Sequence, residues 1–176
     1  MSKPDRLPKA ERVAPWLARL ISVALVGLGT FISILVITLL TDSTGEMWII
    51  ASFGATCVLV FGFPAGPFSK PRNVIGGHVL ASLIGLSFLS LFGPGWVPMA
   101  AATATAVMAM IVTDTVHPPA GSNALVIFLG TPGWTFLLFP TLAGACTLVL
   151  AAYVYWRAVD AIKNSRTPKL VNKPEL

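Results

Sequence analysis

Two histidines, His78 and His117, and one acid, Asp114, stand within or beside long apolar stretches of this 176-residue chain. Ionisable side chains in such surroundings are costly to hold and are functional candidates by default. An imidazole suits proton carriage near neutral pH, which is one role for His117. Its other role is to brace the turn ahead of Pro118. Asp114 is best suited to bonding free backbone N–H groups of the turn from Thr113 to His117. A metal centre built from the two histidines and Asp114 lacks a tight ligand spacing such as His at i and i+4. No Ser–His pair at recognisable spacing, nucleotide loop or cluster of acids points to an enzyme, so no cofactor or metal is expected.

A second chemistry needs no ionisable group. Ser52-Phe53-Gly54-Ala55-Thr56 and His117-Pro118-Pro119-Ala120-Gly121-Ser122-Asn123 each combine small residues with neutral polar ones. If helices start there, free N–H groups and the positive ends of two dipoles form an anion site without a buried Lys or Arg. Such a site binds weakly enough to release its ion. Asn73 and His78, next to Lys70 and Arg72, would line a vestibule in which the basic pair concentrates anions. The competing role for Gly54 and Gly121 is helix packing, and for Lys70 and Arg72 it is topology.

The elements that must position these residues are membrane helices. The chain is 55% hydrophobic and 11% charged, whereas soluble domains carry roughly 25% charged residues. About 20 apolar residues span a bilayer core of ~30 Å. Segments read at Leu20–Leu40, Met47–Phe63, Val74–Phe92, Val97–Val112, Pro119–Gly130 and Trp134–Trp156. The Lys and Arg residues group as Lys3, Arg6, Lys9, Arg12 and Arg19, then Lys70 and Arg72, then Arg157, Lys163, Arg166, Lys169 and Lys173. If all six segments cross, with the N-terminus inside, every one of these is cytoplasmic, as membrane proteins prefer. Trp16, Trp48, Trp96, Trp134 and Trp156 fall at segment ends, where aromatic anchors belong. The net charge of +5 therefore reads as topology and lipid contact rather than nucleic-acid binding. Cys57 and Cys146 lie in apolar runs and read as buried free thiols.

Three crossings followed by three give two halves of opposite orientation, with segments two and five in corresponding places. Gly54 through Phe61 aligns with Gly121 through Phe128. Paired short segments interrupted by Gly or Pro are a pointer to a transporter's binding site. Segment five is too short to cross, so Thr113 to Pro118 would enter extended, with Pro119 in the first helical turn. In the other half Trp48 to Ser52 would enter extended, with helix from about Phe53. The predicted fold is thus an all-α membrane protein of about six segments, arranged as two inverted three-segment repeats. The Ala-rich segment four suits close helix packing, and a homo-oligomer, a dimer first, is expected.

Thr115-Val116-His117-Pro118-Pro119-Ala120-Gly121 resembles the signature of the HPP family of integral membrane proteins. So do Ser52 to Thr56 and the run Pro71-Arg72-Asn73-Val74-Ile75-Gly76-Gly77-His78. The likeness covers roughly Ala18 to Tyr155. It implies a membrane transporter, described in that family with four helices, and plant chloroplast and cyanobacterial relatives are associated with nitrite uptake. Many relatives carry Gly-Ala-Thr where this chain has Gly121-Ser122-Asn123, which leaves the ion's identity open. The organisation expected is a cytoplasmic basic arm over 1–17, a transmembrane domain over 18–157 and a basic tail over 158–176. The expected setting is a bacterial plasma membrane with both termini cytoplasmic. Passage of a small anion, nitrite or nitrate, with protons a possible second ion, is the leading function. The alternative is an intramembrane enzyme or signalling scaffold using His117 and Asp114.

Overall fold

Pro15, whose missing N–H costs nothing in a first turn, opens helix α1 (Pro15–Thr44) in a computed structural model that describes residues 14–166. Lys3, Arg6, Lys9, Arg12, Lys169 and Lys173 lie outside the described residues. Gly45, in the left-handed region (φ 72°), ends α1 and donates its N–H to the Thr41 carbonyl. Then follow α2 (Ser52–Gly62), α3 (Pro71–Phe92), α4 (Trp96–Val112), α5 (Asn123–Gly130) and α6 (Ala143–Arg166). The described residues hold six α-helices and no strand. Helix α1, helix α3 and the composite stretch Trp134–Ser165 are long and apolar enough to cross a membrane. Helices α2 and α5, at 11 and 8 residues, are not.

The two short helices begin near the expected places but not at them: α2 starts at Ser52, α5 only at Asn123, and Thr113 and Asp114 form a turn rather than an extended entry. Residues Met47 to Ile50 have no regular secondary structure before α2, and a short 3-10 helix, Pro118–Ser122, precedes α5. The helix starts meet side by side, where Ser52 Oγ donates to Asn123 Oδ1 at 2.8 Å. Helix α2 ends beside the loop before α3, and its late carbonyls are satisfied from outside the helix. Ser69 Oγ donates to Leu59 O and Trp156 Nε1 to Val60 O. Trp156 is therefore a helix clamp, half-buried, and α6 runs on past it to Arg166. The expected domain edges at 17 and 158 accordingly fall inside α1 and α6.

Segment six is not one helix. A 3-10 turn (Trp134–Leu137) and a π-type stretch (Leu138–Leu142) precede α6, and Phe139 is extended (φ −126°, ψ 118°). The cause is Pro140, which pushes the residue before it out of the helical region. Helix packing in lipid relies on close approach more than on hydrophobic transfer, and glycines, Gly144 and Gly85 among them, make it possible here. A Cβ at Gly144 would collide with the Phe53 ring and the Trp48 carbonyl. At Gly85 it would come within 3.1 Å of the α5 backbone at Ala124. On α4, Ala102 and Ala106 are fully buried inside the chain, while Ala100, Ala101 and Ala104 face outward. Cys57 is buried, but Cys146 lies on an outward face of α6, contrary to its expected burial; both are free thiols.

Candidate functional site

Ser52 and Thr56 are one helical turn apart on α2, so they share a face; His78 and Ser82 repeat that spacing on α3. The fold turns these two faces toward each other and adds His117 from the loop before Pro118, Asn123 from the start of α5, and Thr141 from the stretch before α6. All seven side chains are at most 4% exposed. Thr56 Oγ1 lies 3.0 Å from His78 Nε2, 2.9 Å from His117 Nε2 and 3.1 Å from the Ser52 carbonyl oxygen. The Asn123 amide donates to Ser82 Oγ (2.9 Å) and to the His78 carbonyl (3.3 Å). Its Oδ1 faces Ser52 Oγ and His78 Nδ1, the latter at 3.3 Å. Ser82 and Thr141 hydroxyls are 3.0 Å apart, and His117 Nδ1 lies 2.8 Å from the Phe68 carbonyl oxygen.

A polar cluster this deep is tolerated because its members bond one another. The walls are apolar: the Phe53 ring stands edge-on to His78 with centroids 5.2 Å apart. Buried Pro119 and Ala120 seat the turn after His117, and Ala120 belongs to a cluster with Ala81, Ala106 and Met110. The His117 segment lies so close to α3 that a Cβ at Gly77 would come within 2.9 Å of His117 Cβ and 3.0 Å of the Thr115 carbonyl oxygen. That contact explains why glycine occupies this position.

Of the residues singled out from sequence, Ser52, Thr56, His117, Asn123 and His78 meet at one centre, with Phe53 against it. His78 lies in the middle of the cluster rather than in a vestibule. Others are elsewhere. Gly54 and Ala55 are on the exposed face of α2, because they sit two and one positions away from the inward Ser52–Thr56 stripe. A Cβ at Gly54 meets nothing within 4 Å, and at Gly121 only Val107 Cγ2 at 3.9 Å. Gly54 instead helps line a cavity of about 430 Å³ beside α1, with Val26 and Cys57. Pro118 is exposed, and Ser122 Oγ bonds back to the Pro119 carbonyl.

Free backbone N–H groups are fewer at the helix starts than expected. Phe53 and Gly54 donate to the Ile50 and Ala51 carbonyls, and Ala120 to that of His117. Side chains are therefore the main donors of the centre. Asn73 is buried and gives its amide to the Val116 carbonyl at 2.9 Å, so it pins the His117 segment instead of lining a vestibule. Arg72, in the first turn of α3, donates from Nη2 to the Thr113 carbonyl at 2.8 Å, tying the start of that helix to the same segment. Asp114 is exposed with left-handed backbone (φ 54°), a region Asp tolerates better than most. The N–H groups of Thr113, Asp114 and Thr115 bond back to α4 carbonyls, so the turn does not need the Asp114 carboxylate.

Sequence reading missed Ser82, Thr141 and the Phe68 carbonyl. The i, i+4 relation of His78 and Ser82 was a usable signal for the first. Thr141 follows a proline within an apolar run, a weaker one, and a backbone carbonyl leaves no trace in residue type. Among the described residues no group of three or more His, Cys, Asp or Glu is placed to hold a metal.

Comparison with known proteins agrees with the motifs at this centre. The family described as HPP, transmembrane region, matches residues 15–166. Two transmembrane proteins of Dictyostelium discoideum are similar. One is 30% identical over 139 residues, covering 72% of this chain and 45% of its own length; the other is 33% identical over 140 residues, covering 72% and 49%. The chain thus spans about half the length of these curated relatives. No solved structure matches it. With His117 of its Thr115–Gly121 motif in a buried polar cluster and its membrane part matched almost throughout, the chain belongs to the HPP family of integral membrane proteins.

Proposed function

We propose that this protein carries a small inorganic anion across a membrane, nitrite or nitrate first, by way of the centre formed by Ser52, Thr56, His78, His117 and Asn123. The observation that carries the reading is a set of fully buried, neutral polar side chains inside an apolar bundle, at the place where two short helices begin. Intramembrane polar groups are costly and are kept where an ion or proton passes. Hydroxyl, amide and imidazole donors can hold an anion without a fixed positive charge, weakly enough to let it leave. The dipoles of two adjacent helix starts add favourable potential. Arg72 and Lys70, at the end of the bundle where the His117 segment begins, attract anions toward it.

His78, His117, Thr56 and Asn123 have no exposed surface, so an ion reaches them only when the bundle opens. That favours a carrier that alternates between states over a standing pore. The paired short helices are read as the corresponding members of two inverted halves. The Lys70/Arg72 loop and both termini are read as cytoplasmic, in a bacterial plasma membrane. Purified protein in liposomes should admit nitrite or nitrate faster than protein-free vesicles. Failure to move either ion above that baseline would overturn the proposal.

A further inference from the structure

The hydrogens at the centre of the cluster fall one short when both imidazoles are neutral. His117 Nδ1 faces the Phe68 carbonyl oxygen at 2.8 Å, which only accepts, so Nδ1 carries the hydrogen. Asn123 spends its N–H groups on the His78 carbonyl and Ser82 Oγ, so its Oδ1 is what His78 Nδ1 meets, and that nitrogen carries a hydrogen too. A neutral imidazole has one N–H, which leaves both Nε2 atoms as bare acceptors. Both point at Thr56 Oγ1, at 3.0 and 2.9 Å, and the Ser52 carbonyl oxygen is a third acceptor at 3.1 Å. One hydroxyl hydrogen thus faces two bare imidazole nitrogens, one of which goes unmatched; the Ser52 carbonyl, inside α2, has the helix's own N–H four residues on.

We propose that His78, Thr56 and His117 form a proton-binding site, which takes up one proton and shares it between the two imidazoles through the Thr56 hydroxyl. With the proton on His117, Nε2–H donates to Thr56 Oγ1 and Thr56 donates to His78 Nε2. Transfer breaks the His117 N–H and Thr56 O–H bonds and forms a Thr56 O–H and a His78 N–H bond, with the single positive charge conserved. Every nitrogen and oxygen along Phe68, His117, Thr56, His78 and Asn123 then has a matched partner.

The groups facing this pair are uncharged: Ser52, Phe53 and Thr56 from α2, Asn123 from α5, and the Phe68 carbonyl from the loop. The bound proton therefore makes the centre cationic where a lone charge is disfavoured, and a small anion is its natural counterpart. This last step rests on the transport reading above. Proton and anion then favour one another's binding reciprocally and cross together, one to one.

The competing arrangement rotates the Asn123 amide and moves the His78 hydrogen to Nε2, supplying Thr56 without an added proton. It sets Asn123 Oδ1 against the His78 carbonyl oxygen, where the amide nitrogen now donates at 3.3 Å. Nitrogen-15 NMR of histidine-labelled full-length protein in lipid bilayers separates the two, taken from about pH 8 to about pH 5, with and without nitrate. The expected result is one added proton per chain, shared by both rings, appearing at higher pH when nitrate is present. Thr56→Val should abolish the sharing, and Thr56→Ser should restore it. Two rings that stay neutral at every pH, with and without nitrate, one as the Nε2–H form, would overturn the proposal.

In liposomes, one-to-one coupling sets roughly tenfold anion accumulation per pH unit of inward proton gradient, read above protein-free vesicles. Thr56→Val should lose that response. Anion flux with permanently neutral rings would remove the proton site and leave transport standing. A shared proton without flux of either ion would remove transport and leave the proton site.

Discussion

Asn123→Ala probes a side chain of α5 that bonds to both α2 and α3. Asn123 accepts from Ser52 Oγ and His78 Nδ1 and donates to the His78 carbonyl and Ser82 Oγ. Hydrogen bonds inside membrane proteins average ~0.6 kcal/mol, so these four set a floor near ~2 kcal/mol. Truncation also strands two buried donors, Ser52 Oγ–H and His78 Nδ1–H, at ~1–3 kcal/mol each, which sets a ceiling near ~6 kcal/mol. The loss should be nearer the ceiling, because Asn123, His78 and Thr56 have no exposed surface through which water could replace the bonds. Equilibrium unfolding in detergent, followed by helix signal and by the fluorescence of Trp48 and Trp156, measures it. A destabilisation below about 0.5 kcal/mol, the range of surface changes, would refute the account of Asn123 as a satisfied buried clamp.

Gly77→Ala should destabilise by about 1–3 kcal/mol, as overpacking does, and should lower flux by displacing His117 from Thr56. Gly54→Val should leave anion flux nearly unchanged, since open space surrounds that position; its loss of flux would return Gly54 to the ion path. Cysteines placed at Gly45, Gly95 and Gly133 should react with an impermeant reagent from outside, whereas one at Lys70 should not; outside labelling at Lys70 would sink the proposed topology. Mass measurement in lipid discs should give a dimer, with the outward Ala100, Ala101 and Ala104 face of α4 as its close-packing surface; a monomer alone would refute that.

Membrane class, the number of helices and the shortness of α2 and α5 were legible in the chain itself. Those properties follow from local quantities: the length of an apolar run, the placing of Gly and Pro, and the preference of the first helical turn for proline. Pro140 is legible too, yet the apolar run around it reads as one long sixth segment, whereas the chain breaks at Phe139. Of the residues in and around the HPP motif, Ser52, Thr56, His117 and Asn123 meet in one buried cluster. What local pattern did not settle is which residue of each run faces inward. As sequence, the run Ser52 to Thr56 reads as a unit, whereas the helix turns Ser52 and Thr56 to the centre and Gly54 and Ala55 away from it. Only the tertiary structure brought Ser82 to Thr141, 59 residues apart, and the Phe68 carbonyl to His117. A helix's length is a property of adjacent residues, but a hydrogen bond between distant ones exists only once packing has fixed every helix's rotation and depth against its neighbours.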